Sequence, residues 1–150
     1  MLVTSQPPHG HIYLADDDCD DRDLFAQALS AVNDEIVLTQ LLDGIHLMDT
    51  LNLPPFPLPG IVFVDLNMPK KSGMDCLEEI KSNANGLQHI NVVMLTMSSN
   101  PKSVDEAFSK GASFYAIKPN SFGSLKLLIS KMVLHDWLLP VDRNDFLIQL

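Results

Sequence analysis

Cysteine is scarce in this sequence: Cys19 and Cys76 are the only two. Their wide separation fits neither a metal-type spacing nor a disulfide framework. Both are expected to be free thiols in a reduced, cytoplasmic protein. Basic residues are scarce as well, with ten Lys and Arg against nineteen Asp and Glu and a net charge of -9. A reader of nucleic-acid backbones needs a clustered basic face, so direct nucleic-acid binding is not expected. Long hydrophobic runs are missing: none approaches the roughly 20 residues that cross a bilayer. The start, MLVTSQPPHG, lacks the basic and then apolar order of a secretory signal. Membrane insertion and secretion are not expected.

What the sequence does have is a large apolar content, 46% of 150 residues, enough for one domain with a real core. Residues 1–10 carry Pro7, Pro8 and Gly10 without periodicity and read as a flexible leader. HIYLA (11–15) reads as a buried strand. From about Asp20, Leu24, Phe25, Ala28, Leu29 and Val32 recur at helical spacing. EIVLTQL (35–41) is strand-like, and Ile45, Leu47, Met48 and Leu51 mark a short helix after the Asp43-Gly44 turn. A proline-rich loop, LPPFPLPG, delimits the apolar strand IVFVD (61–65). Met74, Leu77 and Ile80 give a third helix, and INVVMLT (90–96) a fourth strand. Pro101 opens a helix with Val104, Ala107 and Phe108 that Gly111 closes in a left-handed cap. SFYAI (113–117) is a fifth strand. A last helix from about Ser121 carries Leu125, Leu128, Ile129 and Met132.

Five continuous apolar strands alternating with amphipathic helices imply a parallel α/β sheet covered on both faces. Right-handed crossovers bring every strand's C-terminal end to one edge, where doubly wound sheets hold their ligands. That edge carries Asp16 and Asp17 after strand one, Asp65 after strand three, Thr96 after strand four and Lys118 after strand five. Six aspartates fall between positions 16 and 23. Asp20, Asp21 and Asp23 read as acidic first-turn residues of a helix with no chemistry of their own. For the others, Mg²⁺ suits an oxygen-rich site with few carboxylates. Asp17 and Asp65 are candidate ligands, with Asp16 acting through water. Asp65 is then a candidate nucleophile forming an aspartyl phosphate, with Lys118 and the Thr96 hydroxyl neutralising charge.

The runs IYLADDD, IVFVDLNMPKKSG, VVMLTMSS and YAIKPNS resemble the CheY-like receiver domain of two-component response regulators over about residues 10–136. The resemblance implies a (βα)5 flavodoxin-like fold with strand order 2-1-3-4-5. It implies Asp65 as phosphoacceptor, and Asp16, Asp17, Asp65 and the Asn67 backbone carbonyl around Mg²⁺. Thr96 and Tyr115 fall on the switch positions, Lys118 on the phosphate-binding lysine, and the Lys118-Pro119 bond is expected to be cis. Asn67 and Ser98 flank the phosphoryl site in the family pattern. The implied donor is a sensor histidine kinase or histidine phosphotransfer protein, and the implied output a protein partner on the face of helix four, strand five and helix five. In the turn before helix three, Lys71 and Ser72 stand where the family commonly has Met and Asp, so partner contacts there are expected to differ.

Two other phosphate- or cation-binding patterns fit less well. Asp16, Asp18 and Asp20 match the start of an EF-hand loop, but Asp21 stands where its glycine belongs and Gln27 where its glutamate belongs. A haloacid-dehalogenase-type phosphohydrolase also combines Asp, Mg²⁺, Thr and Lys, yet places its nucleophile on strand one. A non-phosphorylated docking module is the third alternative. Residues 137–150 form a C-terminal extension in which no output domain is visible, so action on partners in trans is expected. Trp137, Leu138, Leu139, Phe146, Leu147 and Ile148 make it too apolar for a free end. Packing back on the domain is the expectation, with a homodimer surface as the alternative.

Overall fold

The computed structural model describes residues 10–53, 58–82 and 86–150. Most of the expected leader (1–9) and positions 54–57 of the proline-rich loop lie outside the described residues. The elements follow the order β1 (His11–Ala15), α1 (Cys19–Val32), β2 (Val37–Leu41), α2 (Gly44–Leu51), β3 (Ile61–Val64), α3 (Gly73–Lys81), β4 (Asn91–Thr96), α4 (Pro101–Ser109), β5 (Phe114–Ile117), α5 (Phe122–Leu134), α6 (Arg143–Phe146) and β6 (Leu147–Ile148). The strands form one sheet in the order β2-β1-β3-β4-β5-β6, with every neighbouring pair parallel. The expected order 2-1-3-4-5 is present within it.

Side chains alternate across the sheet, as the two-residue period of a strand requires. Tyr13, Ala15, Val62, Val64, Val92, Met94 and Tyr115 pack beneath α2, α3 and α4. Ile12, Leu14, Ile61, Phe63, Val93, Leu95, Phe114 and Ala116 pack beneath α1 and α5. β3 is buried on both faces, which is why its sequence shows no polar alternation. Each such large apolar side chain contributes about 1.5–3 kcal/mol through removal from water.

Local chemistry sets the helix starts. Asp18, Asp43, Ser72, Asn100 and Ser121 each stand at an N-cap and accept a hydrogen bond from a first-turn backbone N–H. Pro101 occupies the first turn of α4, and Gly111 just after it has φ +97°, the left-handed geometry expected of it. Asp18 starts α1 at Cys19, slightly earlier than the apolar spacing indicates.

The five-strand, five-helix count needs correction at the C-terminus. Residues 143–148 form a single-turn helix, α6, and a two-residue strand, β6, that pairs Leu147 with Tyr115 and Ile148 with Ala116. The packed-back tail expected from its apolar content is present: Phe146 and Ile148 are buried, and the Phe146 ring lies 5.1 Å from that of Phe108. Leu138, Leu139 and Leu147 depart from that pattern and are exposed.

Candidate functional site

The sheet register brings the site together. Ala15 of β1 lies beside Val64 of β3, so the next residues, Asp16 and Asp65, emerge side by side. The Asp65 N–H donates to the Ala15 carbonyl at 2.9 Å and the Asp16 N–H to the Leu41 carbonyl at 3.1 Å, extending the ladder to these two carboxylates. On the other side Thr96 pairs with Ile117, and the N–H of Lys118 donates to the Thr96 carbonyl at 2.8 Å. Asp16, Asp65 and Thr96 are the buried polar or charged residues among those described.

One carboxylate oxygen each from Asp16, Asp17 and Asp65 can lie within 4.8 Å of the other two, Asp17 from an exposed position. This is an all-oxygen, carboxylate-rich corner of the kind hard divalent cations take, with room on the Asp17 side for water. Asn67 is exposed at the turn after β3, and its backbone N–H donates to Asp65 Oδ1 at 3.1 Å.

The Lys118 ammonium faces the same corner. Its Nζ lies 2.9 Å from Asp16 Oδ2, 2.8 Å from Asp21 Oδ2 and 2.9 Å from Asp65 Oδ2. Burial pulls the Lys118 pKa down, but its interactions with these three carboxylates, which accept from the ammonium, outweigh it and hold the pKa above the usual lysine range. The lysine is therefore a permanent cation at neutral pH. Asp16 is shifted the other way: burial raises its pKa, and the Asp18 N–H at 2.9 Å together with Lys118 only partly compensates. Arg22 of α1 donates from Nη1 to the Asp16 carbonyl at 2.8 Å and braces the loop.

Thr96 is fully buried, and its Oγ1 accepts from the Ser98 N–H at 3.4 Å. Tyr115, also fully buried, donates its hydroxyl to the Ser98 carbonyl at 2.6 Å. Burial raises the Tyr115 pKa and keeps the phenol neutral. Thr96 and Tyr115 thus meet through the backbone of one residue, Ser98.

Asp20 and Asp23 stay outside the cluster; Asp20 is in the first turn of α1 as expected, but Asp23 lies beyond that turn, where it accepts from the Cys19 thiol 3.9 Å away. Asp21 does not stay outside. Its carboxylate joins Lys118, a contact that the reading of the acidic run as a plain helix start did not assign. The available signal was helical phase, because Asp21 lies four residues before Phe25 and seven before Ala28, both on the buried stripe of α1.

The turn between β3 and α3 is packed against the site. A Cβ on Gly73 would sit 2.2 Å from the Asp65 carbonyl oxygen, and Lys70 takes a left-handed φ of 68°.

The profile of the response regulator receiver domain matches residues 12–130. The response regulator Rcp1 of Synechocystis sp. is 32% identical over 131 residues, which cover 83% of this chain and 86% of that protein. Its Mn²⁺-bound crystal structure superposes with a TM-score of 0.73 at 30% identity, covering 81% of this chain and 90% of that one. The phosphorylated cyanobacterial phytochrome response regulator RcpA gives a TM-score of 0.75 at 27% identity, over 83% of this chain and 91% of that one. The bacteriophytochrome response regulator AtBRR gives 0.69 at 27% identity, over 88% and 97%. A parallel sheet ordered 2-1-3-4-5, an acidic corner on its C-terminal edge, and a profile match over most of the sequence agree: the chain belongs to the receiver domain family of two-component response regulators.

Proposed function

We propose that Asp65 accepts a phosphoryl group from a phosphohistidine on a sensor histidine kinase or a histidine phosphotransfer protein. An Asp65 carboxylate oxygen attacks phosphorus, the P–N bond to the donor imidazole breaks, and the imidazole leaves with the electron pair and takes up a proton. The residues for this are Asp65, presented at a strand end, and Lys118, whose charge is fixed and 2.9 Å away. Phosphoryl transfer needs mainly positioning and neutralisation of the equatorial oxygens. Lys118 neutralises one oxygen and the Thr96 hydroxyl, at the end of β4, serves another. Asp16, Asp17, Asp65 and the Asn67 carbonyl would hold the divalent cation, Mg²⁺ in our reading, and when bound it supplies positive charge to the phosphoryl oxygens.

The observation that carries this reading is the shared grip of Asp16 and Asp65 on Lys118, beside a third carboxylate, Asp17, able to complete a cation corner. Output follows from the link between Thr96 and Tyr115: drawing the Thr96 hydroxyl toward a phosphoryl oxygen moves the Ser98 backbone to which Tyr115 is tied. A downstream protein reads the change on the face of α4, β5 and α5. Residues 143–148 already lie against α4 and β5, so that face includes the tail.

Incubation with Mg²⁺ and acetyl phosphate should place one acyl phosphate on Asp65, seen by mass spectrometry, and Asp65→Asn should abolish it. Label that persists in that variant, or lands on another residue, refutes the assignment. RcpA and AtBRR are by name phytochrome response regulators, so a phytochrome-type histidine kinase is the first donor to try.

A further inference from the structure

Resting on Asp65 as phosphoacceptor, we propose that Asp21 is a positioning residue whose carboxylate competes with the phosphoryl group for Lys118 and so weakens phosphate binding at the site. An ammonium has three N–H donors. Asp16, Asp21 and Asp65 all lie 2.8–2.9 Å from Lys118 Nζ, with Asp21 and Asp65 accepting hydrogen bonds from it. A phosphoryl oxygen that reaches Lys118 must therefore compete with carboxylates already gathered round the ammonium.

The three do not yield equally. The Asp16 side chain is 2% exposed and held by the Asp18 N–H, and Asp65 is the acceptor itself. The Asp21 side chain is 40% exposed and approaches from the first turn of α1. Its own backbone N–H is satisfied by the Asp18 cap, so the side chain can swing into water without unravelling the helix. While it remains, it sets a negative charge a few ångströms from an incoming anion. Asp21 also lines a slot between α1 and α5 with Leu24, Phe25, Pro119 and Leu125, so its swing would change the mouth of that slot as well.

The charge of Asp21 should act with opposite sign on the two ligands of the site. Removing it favours the anion and disfavours the cation. In Asp21→Asn, the dissociation constant for beryllium fluoride, an acyl-phosphate analogue, measured calorimetrically at saturating Mg²⁺, should fall roughly fivefold, the effect of one unit charge at such a distance in solvent. Mg²⁺ alone should bind more weakly by a similar factor. Asp21→Glu, which keeps the charge, should match the native protein in both measurements. Equal affinities in Asp21→Asn and the native protein, or a variant in which both ligands bind more weakly, overturn the proposal, because a purely structural role moves both together. Native protein that labels on Asp65 with acetyl phosphate while Asp21→Asn changes nothing refutes the competitor alone. Native protein that takes no label refutes the phosphoacceptor reading, and the competitor with it.

Discussion

Gly73 shows how a single atom guards the acceptor. With 2.2 Å between the position of its missing Cβ and the Asp65 carbonyl oxygen, alanine cannot fit unless the β3–α3 turn moves, and Asp65 moves with it. Gly73→Ala should lower stability by about 1–3 kcal/mol, the usual cost of overpacking. Urea unfolding measures that loss, and the initial rate of acetyl phosphate labelling should fall in parallel. At this scale the sequence was legible wherever a residue sits at a strand end, because strand direction alone carries Asp16, Asp65, Thr96 and Lys118 to the same edge. It was not legible for Asp21 within a run of acids. Which aspartate turns inward depends on where α1 begins, and the Asp18 cap decides that. Nor does the sequence reveal that Lys70 takes a positive φ, since that follows from how the turn closes over Asp65.

Among the elements, α6 and β6 are the addition that the strand–helix alternation does not show. Four apolar residues around one polar one near the chain's end, FLIQL, carry no period that separates strand from helix, and a strand of two residues is defined by its partner. Its anchor is Phe146, fully buried, with its ring 5.1 Å from Phe108 and 6.5 Å from Tyr115. Arg143 lies over both phenylalanine rings and pairs with Asp105 at 2.5 Å, but that pair is largely in solvent. The two contacts should therefore differ sharply in weight. Phe146→Ala should cost about 3–5 kcal/mol, as large-to-small core substitutions do, and Arg143→Ala less than about 1 kcal/mol. Thermal unfolding of the two variants gives the comparison. Strands β1, β3, β4 and β5, by contrast, were readable as apolar runs because both faces of the sheet are covered.

Across the whole molecule, several protonated groups are sealed in by folding. Burial pushes the Cys76 thiol up to about 12 from 9.0; nearby Lys71 only partly offsets this, and the thiol donates to the Gly44 carbonyl at 3.5 Å. Burial also raises Tyr13 and Tyr115, and the Lys118 ammonium is held above its usual range by its three carboxylates. A group whose folded pKa exceeds its unfolded one contributes stability that is intact below the unfolded value and lost as pH rises through the folded value. For Cys76 the loss begins near pH 9 and runs toward 12. Chemical denaturation at pH 8 and at pH 10.5 should show stability falling across the interval, and Cys76→Ala should lose less of it than the native chain. The same burial makes the two thiols unequal: at pH 8 Ellman's reagent should react with the exposed Cys19 in the native state and with both cysteines only after unfolding.

The pairing of β6 with β5 has a further consequence for the protein in concentrated solution. Without it, the outer row of N–H and C=O groups on β5 would be a template for another chain's strand, the usual starting point of sheet-to-sheet polymerisation. A two-residue strand in that place covers Tyr115 and Ala116 of β5 and presents only a two-residue row of its own, a poor template for a further strand.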